Sequence, residues 1–365
     1  MTEAIKSTTD SYAKLAKTLN KIPNGFPTTE DGTHLKVLEW IFEPDEAEIV
    51  SRMKLTGQTI ERMSKRLKIP REELAQKIET MYKKGQIRVI KTKRGKKYGL
   101  LPFVVGIYEE QIDRMDADFA QLFEEYCQKS NGAILSRSQP AIHRVVPIEK
   151  VIQSDLKIHS YSKAEDMVRK AKSWGIRDCI CRKQQRLIDN HCKYPMNVCL
   201  SFSDTENKYD DNPHSKAITI DEALEVLKEA REAGLIHTTM NIASGHFYIC
   251  NCCSCCCGVL RALTEFDHPN AFVNSDYIIN IDDDSCIGCG ECIERCQFNA
   301  LEIIDGKCVV DDKCVGCGAC AIVCPEDALI LIPRKSEDNK KPPKGLTSWM
   351  LRKAFKRKVN PLKVL

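Results

Sequence analysis

Apolar residues recur at helical spacing through the N-terminal part of the chain. Residues 1–33 are polar and rich in turn residues, so we expect a short helix at most, followed by a loop. From there the pattern predicts four helices, at about 34–42, 46–53, 59–69 and 70–85. Thr59 is the candidate cap of the third helix. Residues 86–103 then predict a two-stranded hairpin that turns at Arg94-Gly95.

The succession of helices and a hairpin over residues 34–105 resembles a winged-helix domain. The resemblance implies one of two roles. In the first, the helix at 70–85 enters the DNA major groove and the basic segment KTKRGKK lies on phosphate. In the second, the domain contacts proteins. Because the helix also carries Glu72, Glu73 and Glu79, which weaken entry into the groove, we expect partner contacts rather than DNA binding.

Residues 106–175 are predicted to be a helical connector. An amphipathic helix is expected at 103–130, with Cys127 as a packed thiol inside it. A second helix is expected at 162–174, with Ser162 and Glu165 as a capping box. The prolines between these helices predict an extended stretch.

The cysteine content of the chain indicates a metal-binding protein. The chain has 365 residues, of which 20 are cysteine. No apolar run approaches the length of a membrane span, and the N-terminus lacks the apolar core of a signal peptide, so we expect a cytoplasmic protein. Many thiols in a reducing compartment indicate metal binding and argue against disulfides.

Eight of these cysteines form two copies of the spacing Cys-x2-Cys-x2-Cys-x3-Cys, offset by 28 residues. The copies are Cys286, Cys289, Cys292 and Cys296, then Cys314, Cys317, Cys320 and Cys324. Glycines between the cysteines let the backbone curl closely around sulfur. Zinc sites usually have paired Cys-x2-Cys units instead, so the doubled run indicates iron–sulfur clusters.

Residues 276–333 resemble the bacterial-type ferredoxin with two 4Fe–4S clusters. In that family the fourth cysteine of each run ligates the other cluster. The resemblance therefore implies one cluster on Cys286, Cys289, Cys292 and Cys324, and another on Cys314, Cys317, Cys320 and Cys296. Gln297 follows Cys296 where the family usually has proline. We expect this departure to leave ligation intact and to change hydrogen bonding near the sulfur.

Residues 176–258 contain ten more cysteines, in two clumps that flank a helix predicted at 219–233 with Thr219 as its cap. The clumps are Cys179, Cys181, Cys192 and Cys199, then Cys250, Cys252, Cys253, Cys255, Cys256 and Cys257. We expect the clumps to meet and to hold one or two further iron–sulfur clusters, since four thiolates suffice for a cubane. A zinc site with four cysteine ligands is the alternative.

Other residues of this region are candidates for supporting roles. His191 and His246 border the clumps and are expected to be hydrogen-bond donors to ligands, or surface residues. Arg182 is placed to offset cluster charge. The segment Cys256-Cys257-Gly258 is similar to the CCG motif of heterodisulfide reductase-type subunits, although the rest of that spacing is absent.

Charge is distributed unevenly along the chain. The net charge is +12 over residues 50–100, −9 over 276–333 and +9 over 334–365. Such asymmetry indicates docking with charged partners. Residues 346–359 read as a cationic amphipathic helix with Trp349, Met350 and Phe355. It is predicted to bind an acidic partner or the chain's own ferredoxin stretch, or less readily a peripheral membrane surface.

These features predict an α+β multi-domain protein. The expected parts are a flexible lead at 1–33, a winged-helix-like domain at 34–105, the connector at 106–175, a mixed α/β cysteine-rich domain at 176–275, a ferredoxin domain with a βαβ repeat at 276–333, and a basic tail at 334–365. The sequence has no glycine-rich nucleotide loop and no nucleophile elbow, so we expect no catalytic residue and no small-molecule substrate site.

Three functions follow from this organisation. The first is a multi-cluster electron-transfer protein that passes single electrons between a low-potential donor and a partner oxidoreductase. The second is a redox-sensing regulator that binds DNA through the winged helix. The third is a reductase subunit with a catalytic cluster in the middle region.

Overall fold

The computed structural model describes residues 3–92, 95–136, 138–153, 158–268, 271–335 and 341–360. The chain divides into two compact units. The first contains residues 1–139, 183–190 and 350–365, and the second contains residues 140–182 and 191–349. This division differs from the predicted one, because the cysteine-rich region, much of the connector and the ferredoxin stretch belong to one unit.

The first unit is mainly helical. Its elements are α1 (Glu3–Lys21), α2 (Thr33–Ile41), α3 (Pro44–Ser51), α4 (Ile60–Leu67), α5 (Arg71–Lys83), β1 (Arg88–Thr92), β2 (Gly95–Gly99), α6 (Ala117–Lys129) and α7 (Ala133–Ser136). The prediction of a short helix at most within residues 1–33 is wrong. The helix α1 has 19 residues and buries Tyr12, Leu15 and Leu19 on one face. The helical spacing of these apolar residues is hard to recognise within a segment of mostly polar composition.

The segment from α3 to β2 follows the predicted order of helices and hairpin. Thr59 caps α4, as expected, by accepting a hydrogen bond from the backbone N–H of Arg62. Strands β1 and β2 pair antiparallel. Arg94, at the predicted turn, lies outside the described residues, and the winged-helix assignment stays a prediction.

Only part of the helix predicted at 103–130 forms. The helix α6 begins after Asp116, whose Oδ1 accepts from the backbone N–H of Phe119 at 2.8 Å. Upstream of this cap the backbone of Val104, Val105 and Gly106 is non-helical. Cys127 is buried in α6, as predicted.

The second unit is built on a seven-stranded sheet of order β6-β4-β5-β8-β7-β3-β9. Its strands are β3 (His143–Val145), β4 (Ser173–Arg177), β5 (Cys199–Ser203), β6 (Lys216–Ile218), β7 (Ile236–Met240), β8 (Tyr248–Cys252) and β9 (Phe272–Val273). Described neighbours pair antiparallel, except that β3 and β9 are parallel. The connector therefore contributes two strands to the sheet that carries the cysteines.

Helices lie between the strands of this sheet along the chain. They are α8 (Ala164–Lys170), α9 (Ile180–Leu187), whose last turns belong to the first unit, α10 (Ile220–Ala233) and α11 (Gly258–Thr264). Apolar residues of α8 and α10 pack with Leu200, Phe202 and Ile249 of the sheet. Thr219 caps α10, as predicted, and the structure adds a capping box with Glu222.

The capping box predicted at Ser162 and Glu165 does not form. The residue before α8 is Lys163, which makes no side-chain cap bond, and Ser162 is buried in a preceding short turn. The helix also ends at Lys170, and Trp174 lies in β4, where its indole N–H donates to the carbonyl of Val168 at 2.8 Å.

The ferredoxin stretch contains two small antiparallel sheets. Its elements are β10 (Tyr277–Ile281), α12 (Glu291–Arg295), β11 (Leu301–Ile304), β12 (Lys307–Val310) and β13 (Leu329–Pro333). Strand β10 pairs with β13, and β11 pairs with β12. The stretch is bonded to the rest of its unit, since the N–H of Ile148 donates to the carbonyl of Cys317 at 3.0 Å.

The basic tail contains α13 (Leu346–Lys356). Trp349 is buried, and its indole N–H donates to Ala141 O at 2.9 Å. Lys353 is also buried, and its ammonium donates to Ser138 O at 2.6 Å. These bonds go to residues outside the ferredoxin stretch. Phe355 is exposed, and binding of the tail to a partner or a membrane stays a prediction.

No helix in the described ranges has the length and apolarity needed to cross a bilayer.

Candidate metal centres

The first group of ferredoxin cysteines lines one pocket. Its thiols are Cys286, Cys289, Cys292 and Cys324, the set that the family resemblance implied. Three come from the first run and the fourth from the end of the second run. Cys286 and Cys292 are buried, whereas Cys289 is exposed. The pocket therefore brings four soft thiolate donors together with one edge at the surface.

The second group contains Cys296 and the first three cysteines of the second run. Burial, together with the neighbouring thiols of Cys314 and Cys296, raises the pKa of Cys317 to about 12. Burial likewise raises the pKa of Cys320, together with Cys317, Cys314 and Cys296. Thiols that oppose each other's ionisation in this way need a cation to hold them as thiolates.

The 28-residue repeat is preserved in the local geometry. The N–H of Ala300 donates to Cys296 Sγ at 3.5 Å, and the N–H of Ala328 donates to Cys324 Sγ at 3.3 Å. Each donor lies four residues after its cysteine. Backbone N–H groups aimed at sulfur stabilise a thiolate and the charge of a bound cluster, so the donor set fits iron–sulfur clusters.

Two glycines of the runs are required by their surroundings. Gly288 and Gly316, also 28 residues apart, have φ of 68° and 69°. A Cβ at Gly288 would collide with the carbonyl of Gly306, and one at Gly316 with the carbonyl of Tyr277. At both glycines, a neighbouring backbone carbonyl occupies the space that the side chain of any other residue would need. This close packing keeps the loops tight around the thiols.

Sequence reasoning missed Cys308. It lies in β12, is buried, and lines the pocket of the first group. Its Sγ is 3.5 Å from Cys292 Sγ, and its N–H donates to Cys286 Sγ at 3.4 Å. Since Cys308 belongs to neither run, its spacing carries no signal, and only the hairpin of β11 and β12 brings it here.

The ten cysteines of the middle region separate into two groups. One is compact: the Sγ atoms of Cys192, Cys253, Cys255 and Cys256 all lie within 4.8 Å of one another. Hydrogen bonds from Cys253 and Cys256 lower the pKa of Cys255, which is exposed. Among the described residues, neither ferredoxin group is as compact as this one.

The other six thiols form a more extended group: Cys179, Cys181, Cys199, Cys250, Cys252 and Cys257. Interactions link them in a chain, from Cys179 to Cys181 and Cys257, and on to Cys252, Cys250 and Cys199. Cys252 and Cys257 are buried. Hydrogen bonds from Cys250 and Cys257 lower the pKa of Cys252 to about 5. The two clumps thus meet, as predicted.

Arg182 lies between the two groups and is fully buried. Burial by itself lowers the pKa of its guanidinium, but the thiols of Cys179, Cys253 and Cys252 together outweigh burial and raise that pKa. Its N–H groups donate to Pro195 O at 2.8 Å and to Asn251 O at 2.7 Å. Arg182 therefore supplies the compensating positive charge that the sequence suggested.

A buried polar network holds the strand that carries two of the thiols. Asn251, between Cys250 and Cys252, donates to Val198 O at 2.8 Å. Its Oδ1 lies 2.6 Å from His237 Nδ1. Burial lowers the pKa of His237 to about 4, so the imidazole is neutral at physiological pH. Sequence reasoning did not single out His237 or Asn251.

The two histidines suggested by sequence have different environments. His191 is exposed. His246 is partly buried, with Nδ1 at 3.2 Å from Thr239 Oγ1. Burial, with the positive charge of Arg144, lowers the pKa of His246 to about 4. Neither belongs to the compact group that can hold a metal ion.

Gln297 joins the ferredoxin stretch to the compact group. Its Oε1 accepts from the N–H of Ser254 at 2.7 Å, and its amide donates to the carbonyl of Gly234. Ser254 lies between Cys253 and Cys255, and Gln297 directly follows Cys296. A proline at 297 has no side-chain amide to make these bonds, so the departure from the family pattern has a structural consequence.

Comparison with known proteins supports one part of this picture. Residues 279–331 match a family model described as a 4Fe–4S dicluster domain. No curated protein and no solved structure matches the chain. The matched stretch contains all eight cysteines of the doubled run. The chain therefore contains a stretch similar to 4Fe–4S dicluster domains, a ferredoxin-type domain whose cysteines support iron–sulfur clusters.

Proposed function

We propose that the chain is an iron–sulfur electron-transfer protein that passes single electrons between a low-potential donor and a partner oxidoreductase. The observation that carries the proposal is the doubled cysteine run with its exchanged fourth members, Cys324 and Cys296. Clusters bound there supply one-electron redox chemistry. The chain's own residues hold the thiolates and donate to their sulfurs.

An exposed apolar surface beside the first pocket supports contact with a redox partner. Ile287 is 62% exposed and lies between Cys286 and Cys289. Exposed apolar residues also occur on the adjoining strands: Ile303, Ile304, Val309 and Ile330. Apolar side chains within an acidic surround are typical of partner sites. We propose that the partner docks there, over the exposed Cys289.

Metal and sulfide analysis tests the proposal directly. Anaerobically purified protein is expected to contain about eight iron atoms from the ferredoxin stretch, with matching acid-labile sulfide, and about four more if the six-thiol group holds a cubane. The protein should be reduced by a low-potential donor and reoxidised by a protein acceptor. Iron without sulfide, or clusters that no donor reduces, would refute an electron-transfer role.

The position of Ile287 permits a second test. Ile287→Ser should lower the second-order rate of electron transfer to the acceptor and leave the iron content unchanged, because the side chain is exposed and supplies no ligand. Leu351→Ser, at an exposed apolar residue of α13, is the matched control. Equal rates for the two variants would count against docking at this surface.

DNA binding is the second candidate, and the exposed lysines of the hairpin favour it. Lys91 and Lys96 are exposed in β1 and β2, within the segment of net charge +12. However, Glu72, Glu73 and Glu79 are exposed along α5, where they repel phosphate. Duplex binding that weakens with salt and differs between the oxidised and reduced protein would support this role. No binding at low salt in either state would exclude it.

A further inference from the structure

The compact cysteine group differs in geometry from the other thiol sites. Cys192 Sγ lies 3.8 Å from Cys253 Sγ and 3.6 Å from Cys255 Sγ, and Cys255 Sγ lies 3.7 Å from Cys256 Sγ. A disulfide needs sulfur atoms at about 2.0 Å, so these are separate thiols. These three separations are nearly equal, and all four sulfur atoms lie within 4.8 Å of one another, as expected for ligands of one small centre.

The separations match a single tetrahedral ion. Four sulfur atoms bound at about 2.3 Å to one zinc ion are about 3.8 Å apart along the tetrahedron's edges. In a cubane each thiolate bonds a different iron atom, which spreads the sulfurs more widely. The thiols of this group are therefore too close together for a 4Fe–4S cluster and correctly spaced for one ion.

The surroundings also suit a structural ion site. Cys253 and Cys256 are buried, whereas Cys255 is exposed and leaves a path for the ion. Arg182 interacts with Cys253 and offsets the negative charge of four thiolates around a divalent ion. The bond from Ser254 N–H to Gln297 fixes the turn between two ligands. Such support around the ligands is typical of metal sites.

We propose that Cys192, Cys253, Cys255 and Cys256 bind one zinc ion in a closed tetrahedral site, separate from the iron–sulfur clusters. Zinc is favoured over ferrous iron because divalent zinc binds more tightly to a given donor set. The ion joins the loop before β5 to the turn after β8, which are 61 residues apart in sequence. The other six cysteines of the region remain for a cluster.

The test is metal analysis of the full-length protein purified anaerobically. About one zinc per chain is expected, and X-ray absorption at the zinc edge should show four sulfur neighbours at about 2.3 Å. Cys255→Ser and Cys192→Ser should each weaken zinc binding at least tenfold in competition with a chromophoric chelator. Cys127→Ser, at a buried cysteine in α6, is the matched control and should keep its zinc.

Iron and sulfide counted in the same samples separate this proposal from the electron-transfer role. If Cys255→Ser loses zinc and keeps all its iron and sulfide, the zinc site is supported. Loss of about four iron and four sulfide with Cys255→Ser overturns it, as does a single iron in place of zinc, or no metal sensitive to this residue. Because Cys255 is exposed, its variant should fold even where Cys192→Ser does not.

Discussion

Gln297 shows how one side chain can connect two metal-binding segments. It directly follows a ferredoxin cysteine, and its amide bonds the turn at Ser254 and the carbonyl at Gly234. The backbone N–H of Ser254 is part-buried, so loss of its acceptor leaves a costly unpaired donor. The residue thus contributes to local stability and not to ligation.

We expect Gln297→Pro, which restores the residue usual in the family, to weaken the turn that holds Cys253 and Cys255. Loss of the acceptor leaves a part-buried donor unpaired and costs about 1 kcal/mol, the lower end for an unsatisfied group, which corresponds to about fivefold faster amide exchange at Ser254. Hydrogen–deuterium exchange of the peptide spanning residues 252–256 measures this. Gln297→Glu keeps an acceptor and should exchange more slowly than the proline variant; equal exchange in both would contradict the assignment.

Cys308 is expected to tune the first ferredoxin cluster. With Cys292 deprotonated as a ligand, the S–H of Cys308 is the donor across their 3.5 Å separation. Loss of this donor in Cys308→Ala removes stabilisation of the more negative, reduced state. The reduction potential of that cluster should therefore fall, on the order of a few tens of millivolts.

A redox titration followed by electron paramagnetic resonance measures the effect. Cys308→Ser keeps a hydroxyl donor and should retain most of the native potential. If the alanine and serine variants have the same potential as the native protein, Cys308 is simply a packed thiol.

At the scale of elements, the helix α13 combines cationic character with burial. Lys353 lies on its buried face, while Lys356 of the same helix is exposed. Burial, followed by the positive charge of Arg357, lowers the pKa of Lys353 to about 7. The amphipathic pattern in the sequence thus corresponds to a helix whose inner face is packed inside the protein.

The lowered pKa of Lys353 makes stability depend on pH. The unfolded state keeps this lysine protonated up to about pH 10.4, whereas the folded state releases the proton above about pH 7. Because the unfolded state binds more protons between these values, stability should rise with pH there, by up to about 1.4 kcal/mol per pH unit, and be flat below pH 7. Thermal unfolding of Lys353→Met from pH 7 to 9.5 should lack this rise.

Lys356→Met is the control. Lys356 lies three residues after Lys353 on the exposed side of α13, so this variant should have the same dependence of stability on pH as the native protein. Parallel pH profiles for the native protein and Lys353→Met would show that Lys353 is protonated in the fold.

At the scale of the whole molecule, charge asymmetry bears on partner encounter. The ferredoxin stretch has a net charge of −9, and Asp283 and Asp284 are exposed near its first cysteine. Charged surfaces of this kind steer oppositely charged partners over distances set by salt. The proposed electron transfer should therefore be fastest with a basic partner.

Stopped-flow measurement with a cationic one-electron acceptor tests this expectation. The second-order rate should fall on the order of tenfold as ionic strength rises from about 0.01 to 0.15 M, because the Debye length shrinks from about 30 to 8 Å. The double variant Asp283→Asn and Asp284→Asn should show a shallower salt dependence. A rate that is independent of salt would indicate encounter without electrostatic steering.

Local patterns accounted for much of the fold. The caps at Thr59 and Thr219 and the order of elements from α3 to β2 follow from side-chain chemistry within a few residues. The long helix α1 was missed because its buried face is narrow within a polar segment. The seven-stranded sheet was missed because strands such as β3 and β9 are short and pair with distant partners.

The sequence by itself determined the ferredoxin stretch, since its thiols, glycines and backbone donors repeat over short spacings that carry the chemistry within one motif. Only the tertiary structure divided the ten cysteines of the middle region into four and six. Cys192 meets Cys253 across 61 residues because loops of the sheet converge, and Cys308 reaches Cys292 through a hairpin. The distances between sulfur atoms decide whether a site fits one ion or a cubane. They arise from the packing of the folded chain and cannot be read from the spacing of cysteines in the sequence.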